Sequence, residues 1–553
     1  MKRWMMTMLS VVMAAALLIS CTSTPGTGQS PSPDASAKPG NSPSTGKASD
    51  GILRIGGGPQ EKFQSSWSDY GGFVRTNLFR RLLMLDKDMQ PVYKDLASDY
   101  TISDDQLTYT FTIRDGVKWH DGEPFTAEDV RWSIQAALKS VSINSVFAGA
   151  FSKIAGAKEF KAGTSNEVPG LSVQGNVLTV KLTEPVGAFL LTMAQWPPYP
   201  KHLLEKEDPL TLHLAAFWEK PIGNGPYKVT EVVPNNYAIM EVNPDFYGDK
   251  PQIEKIMLQT LSEDQTVTKA QAQELDYFSV MDLAQMNEIK KTGHYDIHEV
   301  DILYIRYLMA NMQGSAESGK KNEKIADLRL RQALLYAIDR KTMAEQLYPG
   351  QATPIQTKVP NALPEFNKNT QPYNYDPEKA KQLLKESGYD VSVPLRLAYF
   401  YSDQATIDLI DTIKYYWEQL GLKVETTMLQ GNLVELIYTK RDYDFIYAGL
   451  SAMAMEEVYG IFHSDNVAAT GVMGNNKDAW DSAVDALRRE SDPAKRQTAL
   501  NKLQEMEAEY LWQMPLFAMK QYTVVNKNRL ETAGIYGNEW TNYDRKIANW
   551  KMK

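Results

Sequence analysis

The pattern of apolar and polar positions changes period several times along this chain. Tyr109, Phe111 and Ile113 alternate with Thr108, Thr110 and Thr112, which predicts a half-buried strand, and Asp115-Gly116 supplies the turn after it. Val177–Leu182 (VLTVKL) and Pro394–Tyr401 also read as strands. Elsewhere the period is helical. Leu330, Ala333, Leu334, Ala337 and Ile338 recur at three and four, predicting a helix that starts after Asp327 and ends at Pro349-Gly350. Thr126 precedes Ala127-Glu128-Asp129 and caps a helix whose first turn carries acids. Asp376-Pro377-Glu378 opens a helix with an apolar stripe of Ala380, Leu383 and Leu384, and Gly388 closes it. A polar, amphipathic helix runs from about Pro493 to Glu509. Strands alternating irregularly with such helices predict an α/β protein with mixed sheets.

The first fifty residues follow different rules. Lys2 and Arg3 precede a mostly apolar run from Trp4 to Ile19. It is short for a permanent span, which needs about 20 residues, and suits a secretory signal. Leu18-Ile19-Ser20-Cys21 comes next and resembles the bacterial lipobox, which implies cleavage after residue 20 and a lipid on Cys21. Residues 21–50 are read as the acylated Cys and a linker, because Ser, Thr, Pro and Gly dominate residues 22–50 and no large apolar side chain occurs there to offset the entropy of ordering.

Composition narrows the function. The 553 residues carry a net charge of −9, which argues against a nucleic-acid partner. A single cysteine excludes an intramolecular disulfide and a Cys-based metal cluster. The six histidines are scattered apart from His294 and His298. Those two lie on a strand-like stretch, roughly 13 Å apart along it, too far to share one ion. His120, in an Asp-Gly turn, is read as a structural imidazole, and Asp339-Arg340 as a helix-end ion pair. No cofactor is expected: Gly56-Gly57-Gly58 and the glycines around Pro226 lack the spacing of phosphate-binding loops, and no Walker motif occurs.

Five ordered motifs resemble family 5 extracellular solute-binding proteins of bacterial ABC importers, the oligopeptide- and dipeptide-binding type. They are Arg114–Val130 (RDGVKWHDGEPFTAEDV), Gly223–Tyr227 (GNGPY), Asn243–Tyr247 (NPDFY), Asp327–Arg340 (DLRLRQALLYAIDR) and Tyr375–Ala380 (YDPEKA) with Gly388-Tyr389. The resemblance implies a two-lobed periplasmic-binding-protein-like fold (type II, cluster C) with an extra subdomain in the first lobe. On that map lobe 1 takes 51–69, 186–302 and 509–553, the extra subdomain 70–185, and lobe 2 303–508. Asp301–Asn311 and Leu511–Val525 are the crossovers.

The resemblance also implies a function: a non-catalytic, monomeric receptor, lipid-anchored outside the cell membrane, that captures a small solute by cleft closure and delivers it to membrane permease subunits. An oligopeptide is the first expectation for the solute and an oligosaccharide the alternative. A sensing lipoprotein and a secreted glycosidase are further readings. Peptide binders of the family carry an Asp that pairs with the ligand's amino group. The aligned run here is Ala448–Ala454, with Leu450 and Met453 where the family has Trp and Asp. A thioether makes no ion pair. Glu456 or Glu457 is a candidate replacement, and Leu450 and Met453 are candidate lining for an apolar ligand. Trp196, read as exposed in a turn with Pro197-Pro198, and Tyr304, Tyr307 and Tyr401 are candidate stacking platforms. Arg306 is a candidate partner for a ligand carboxylate, and Asn311 completes the expected set.

Overall fold

The computed structural model describes residues 50–57, 67, 72–466, 472 and 477–553. The proposed signal and Cys21 lie outside the described residues. The fold is organised by two long antiparallel strands, Tyr295–Ala310 and Gln513–Asn526, paired from Tyr295↔Asn526 to Met309↔Gln513. A 16-residue strand extends roughly 50 Å at about 3.3 Å per residue, long enough to serve two separate cores. The two strands sit in the middle of an eleven-stranded mixed sheet. On one side follow Tyr277–Val280, Ile52–Gly57, Lys255–Thr260, Tyr237–Val242 and Tyr227–Val233. On the other follow Phe445–Ser451, Leu395–Tyr399 and Val424–Met428. The register of the long pair breaks twice, between Asp301 and Ile305 and between Arg306 and Tyr307. Tyr307 faces Pro515, which has no N–H to give to the ladder.

Two lobes result. The core of one gathers Leu53, Trp119, Trp196, Trp218, Tyr227 and Trp550. It includes a separate four-stranded antiparallel sheet ordered Ala97–Ile102, Thr108–Ile113, Val177–Lys181, Leu171–Gln174. The other lobe buries both faces of its part of the large sheet. Leu308, Leu397, Trp417 and Phe445 lie on one face; Ile305, Tyr307, Ile446 and Leu503 lie on the other. Two-faced burial explains why Phe445–Ser451 is nearly continuously apolar.

Most sequence signals become the expected elements. Tyr109, Phe111 and Ile113 are buried along their strand. Asp129 accepts a bond from the Thr126 backbone at 2.8 Å, closing the predicted helix start. Asp376 caps Pro377–Ser387, and Gly388 ends it at φ 67°. The helix expected from Asp327 to Pro349 is two helices, Leu328–Tyr336 and Arg340–Leu347. The break arises because the Asp339 carboxylate accepts the Thr342 N–H at 3.0 Å and caps the second helix. Among the described residues, Arg340 makes no helix-end ion pair. It turns inward, and its guanidinium donates to the carbonyls of Ile355, Pro515 and Tyr373.

His120 is structural, and its role is specific. Nδ1 accepts the Gly223 N–H at 3.1 Å, and Nε2 meets the Gly225 carbonyl at 3.0 Å, which fixes the neutral tautomer. The glycines are forced by close approach: a Cβ on Gly223 would lie 1.9 Å from the Leu78 carbonyl oxygen, and one on Gly225 2.1 Å from that of Asn77. Burial pushes the imidazole down from 6.5 to about 4. The folded form thus resists protonation, and its stabilising effect is complete above pH 6.5 and lost as pH falls towards 4. Urea unfolding at pH 7 and pH 4.5 is expected to show a loss of about 2 kcal/mol from this residue. His120→Gln, less stable at pH 7, is expected to show that much less acid sensitivity; an unchanged pH slope would refute the assignment.

Candidate functional site

Leu395–Tyr399 and Phe445–Ser451 are parallel neighbours, and the crossover strand runs antiparallel beside the second. Ligands in α/β sheets sit outside the carboxyl ends of parallel strands. Those ends carry Tyr401 and the run Tyr447–Ser451, and Ile305, Arg306 and Tyr307 pair with Leu450, Gly449 and Ala448. Three separated pieces of chain thus bring Tyr304, Arg306 and Tyr401 together, with Leu450 on the adjoining strand, half-buried and packed towards the opposite face of the sheet.

The centre of this group is the Arg306 guanidinium. It lies 4.1 Å from the Tyr401 ring centroid, 4.6 Å from Tyr304 and 5.7 Å from Tyr447. Tyr401 and Tyr447 meet edge-on at 5.9 Å. Glycine at 449 makes the arrangement possible, since a Cβ there would lie 2.5 Å from Arg306 Nη1 and 2.7 Å from the Tyr401 hydroxyl. Nη1 is buried and has no hydrogen-bond partner. Burial is the main influence on the Tyr304 phenol and raises its pKa, while the cation beside it acts in the opposite direction. Trp540, from the C-terminal segment, closes the group edge-on to Tyr304 at 5.8 Å. Asp403 caps the next helix by accepting the Thr406 N–H and hydroxyl at 2.9 and 2.8 Å.

The other candidates lie elsewhere. Trp196 is fully buried, not exposed in a turn: it stacks on Trp67 with centroids 6.1 Å apart and meets Phe151 edge-on at 5.1 Å. The Trp67 indole N–H bonds to Pro197 and seals that turn over the core. Tyr307 is buried on the opposite face of the crossover strand from Arg306. Asn311 ends that strand on the far side, where its amide donates to the carbonyls of Arg441 and Tyr443 at 2.8 and 2.9 Å. Glu456 is no free anchor for an ammonium group, because Arg496 grips both of its oxygens. Met453 is buried and packs with the other lobe's core, while its N–H donates to Glu457 at 3.0 Å.

Met453 belongs to a second junction, where the lobes touch away from the crossovers. The Gly187 N–H donates to the Arg488 carbonyl at 2.7 Å, Arg489 pairs with Glu184 at 3.1 Å, and Ser491 bonds to Gln106. The ion pair is solvent-exposed, so Glu184→Ala is expected to weaken lobe closure by less than about 1 kcal/mol. A larger shift in the closed fraction measured by small-angle scattering would contradict that ranking. Sequence reading missed Tyr447, Gly449 and Trp540; the available signal was the i, i+2 spacing of Tyr447 and Gly449, which puts them on one face. Among the described residues, no cluster of His, Cys, Asp or Glu is arranged to hold a metal ion, and no helix is long and apolar enough to cross a membrane.

Comparison with known proteins agrees with this architecture. A Brucella ovis protein provisionally named as an ABC transporter peptide-binding protein is 28% identical over 445 residues, 77% of this chain and 79% of that protein. The oligopeptide-binding protein OppA of Bacillus subtilis is 26% identical over 481 residues, 82% and 83% of the two chains. The fold superposes on the substrate-binding protein CtaP of Listeria monocytogenes with a TM-score of 0.76 at 21% identity, covering 91% of this chain and 99% of that one. For the oligopeptide-binding protein AppA of Bacillus subtilis, solved with a nonapeptide, the TM-score is 0.68 at 22% identity, with 91% and 99% covered. Residues 91–467 match the family described as bacterial extracellular solute-binding proteins, family 5 Middle. With two lobes on a shared sheet and a tyrosine-lined arginine on the strand that joins them, the chain belongs to the family 5 solute-binding proteins of ABC importers, which bind their cargo without transforming it.

Proposed function

We propose that this protein is the extracytoplasmic receptor of a peptide importer, held at the membrane by lipid on Cys21, that closes its two lobes over a peptide and hands it to a permease. The observation that carries this reading is the Arg306–tyrosine group at the carboxyl ends of the parallel strands, in a chain whose lobes also touch at a separate junction. Ligand that touches both sides stabilises the closed form, and only such differential contact does so. The named relatives point to peptides. The oligosaccharide reading uses open ring faces on Tyr304 and Tyr401, and the Arg306 guanidinium lies over one face of each.

Thermal unfolding of the full chain in mild detergent tests the cargo. Tri- to hexapeptides at a hundred times their Kd are expected to stabilise it by about 2.7 kcal/mol; cello-, xylo- and manno-oligosaccharides are expected to do nothing. The reverse pattern would replace peptide with sugar. For the anchor, mass spectrometry is expected to find a chain beginning at Cys21 and carrying diacylglycerol. Cys21→Ser is expected to abolish the modification and move the protein to the soluble fraction; a wild-type chain without lipid would remove the tether from this account.

A further inference from the structure

Buried and half-buried arginines in this protein are compensated in two recurring ways. Arg80, Arg496 and Arg545 each face a carboxylate: Asp95, Glu456 and Glu539. Arg81, Arg331 and Arg340 each donate to backbone carbonyls from several directions. Arg306 departs from both patterns. Its guanidinium touches the faces of tyrosine rings, its Nη1 is buried without a hydrogen-bond partner, and no carboxylate lies in ion-pairing range among the described residues. Ring faces attract a cation, yet they accept few of its five N–H groups. Asp403 caps a helix, and of the two acids read as ammonium anchors Glu456 is held by Arg496 and Glu457 accepts from Met453. The Arg306 guanidinium is therefore a positive charge with no carboxylate partner among the described residues. The rings and Gly449 hold it in one position, which makes it a preorganised donor.

We propose that Arg306 is the anion anchor of the cleft: the cargo presents a carboxylate to its guanidinium, and a free amino terminus is dispensable. The second half follows from Met453 and Glu456. At the position where peptide binders place an acid for the ligand's ammonium, this chain has a buried thioether, and the acid three residues on is neutralised by Arg496. The ligand class is thus peptides with a free carboxyl terminus, including those blocked at the amino end. This inference rests on the peptide reading above.

The test uses four mixed pentapeptide pools made without Asp or Glu, so that the terminus is the sole carboxylate. The pools combine a free or acetylated amino end with a free or amidated carboxyl end. Each is incubated with the full chain in mild detergent, and retained peptide is measured by mass spectrometry. Both free-acid pools are expected to be retained alike, and both amide pools about ten- to a hundredfold less. Arg306→Gln is expected to lose the acid-over-amide difference, and Arg306→Lys to keep part of it. Equal retention of acid and amide pools by the wild type would overturn the anchor while leaving peptide binding intact, as would an acid preference that survives in Arg306→Gln. Rejection of the acetylated acid pool would overturn the dispensable amino terminus. Retention of no pool would remove the peptide reading and this inference together. Should Arg306→Gln fail to fold, the wild-type comparison alone decides.

Discussion

Glu539→Ala is expected to destabilise the protein by about 3–5 kcal/mol, the scale for removing one partner of a buried charge pair. The carboxylate is almost wholly enclosed. One oxygen accepts the hydroxyls of Tyr277 and Tyr543, both at 2.6 Å, and the other accepts Arg545 Nη2 at 2.9 Å. Arg545 is itself buried beneath Tyr543 at 3.9 Å, and its Nε has no hydrogen-bond partner. Removing the acid strands two phenols and a guanidinium in an interior that water does not reach. Glu539→Gln keeps an acceptor for the phenols and loses the charge, so it is expected to cost roughly half as much. Chemical unfolding with an unchanged denaturant slope is the measurement; a loss below about 1 kcal/mol for the alanine variant would show that the network relaxes around the gap. The effect reaches the cleft, because the next residue, Trp540, packs on Tyr304. A partly stabilised Glu539→Gln is therefore expected to bind peptide more weakly as well.

Arg340→Met is expected to be comparably severe, at about 3–5 kcal/mol. It preserves much of the aliphatic volume and removes every donor. The carbonyls of Ile355, Pro515 and Tyr373 lose their cationic partner, each at a cost of about 1–3 kcal/mol when left buried and unpaired. Burial brings the Arg340 pKa down to about 10, so the group remains charged at neutral pH. Arg340→Lys is expected to recover less than half of the loss, because a point charge does not reproduce a planar fork that spans three acceptors. Full recovery by lysine would show that charge, not geometry, is what the site requires.

Arg340 also shows where sequence reading stops. Its neighbourhood was legible: helical spacing from Leu330 onward, a capping Asp327 and the closing Pro349-Gly350 all became structure. The direction of its side chain was not, because two of its three acceptors lie 15 and 33 residues away and the third 175. The same holds at the cleft. Tyr304 and Arg306 were legible on a crossover strand and Tyr401 at a strand end, but their meeting depends on pairing across more than ninety residues. Trp196 looked exposed from its flanking prolines; the burial comes from Trp67 and Phe151, which local pattern does not reveal. Motifs rich in Gly, Pro and Asp were the most readable, since each encodes a turn or cap by its own chemistry. Residues that work through distant partners were the least readable.

The two register breaks in the long strand pair have a mechanical consequence. A ladder bends most easily where its rungs are irregular, and both breaks, with Pro515 opposite the second, lie between Asp301 and Tyr307. In the closure proposed above, that stretch is the fulcrum, and Arg306 sits on it. Atoms at a fulcrum travel least when the arms swing, whereas the Glu184–Arg489 rim lies at the end of the lever and travels most. Opening therefore parts the rim first and leaves the anchor in place to the last, so that a departing solute is uncovered before it is let go.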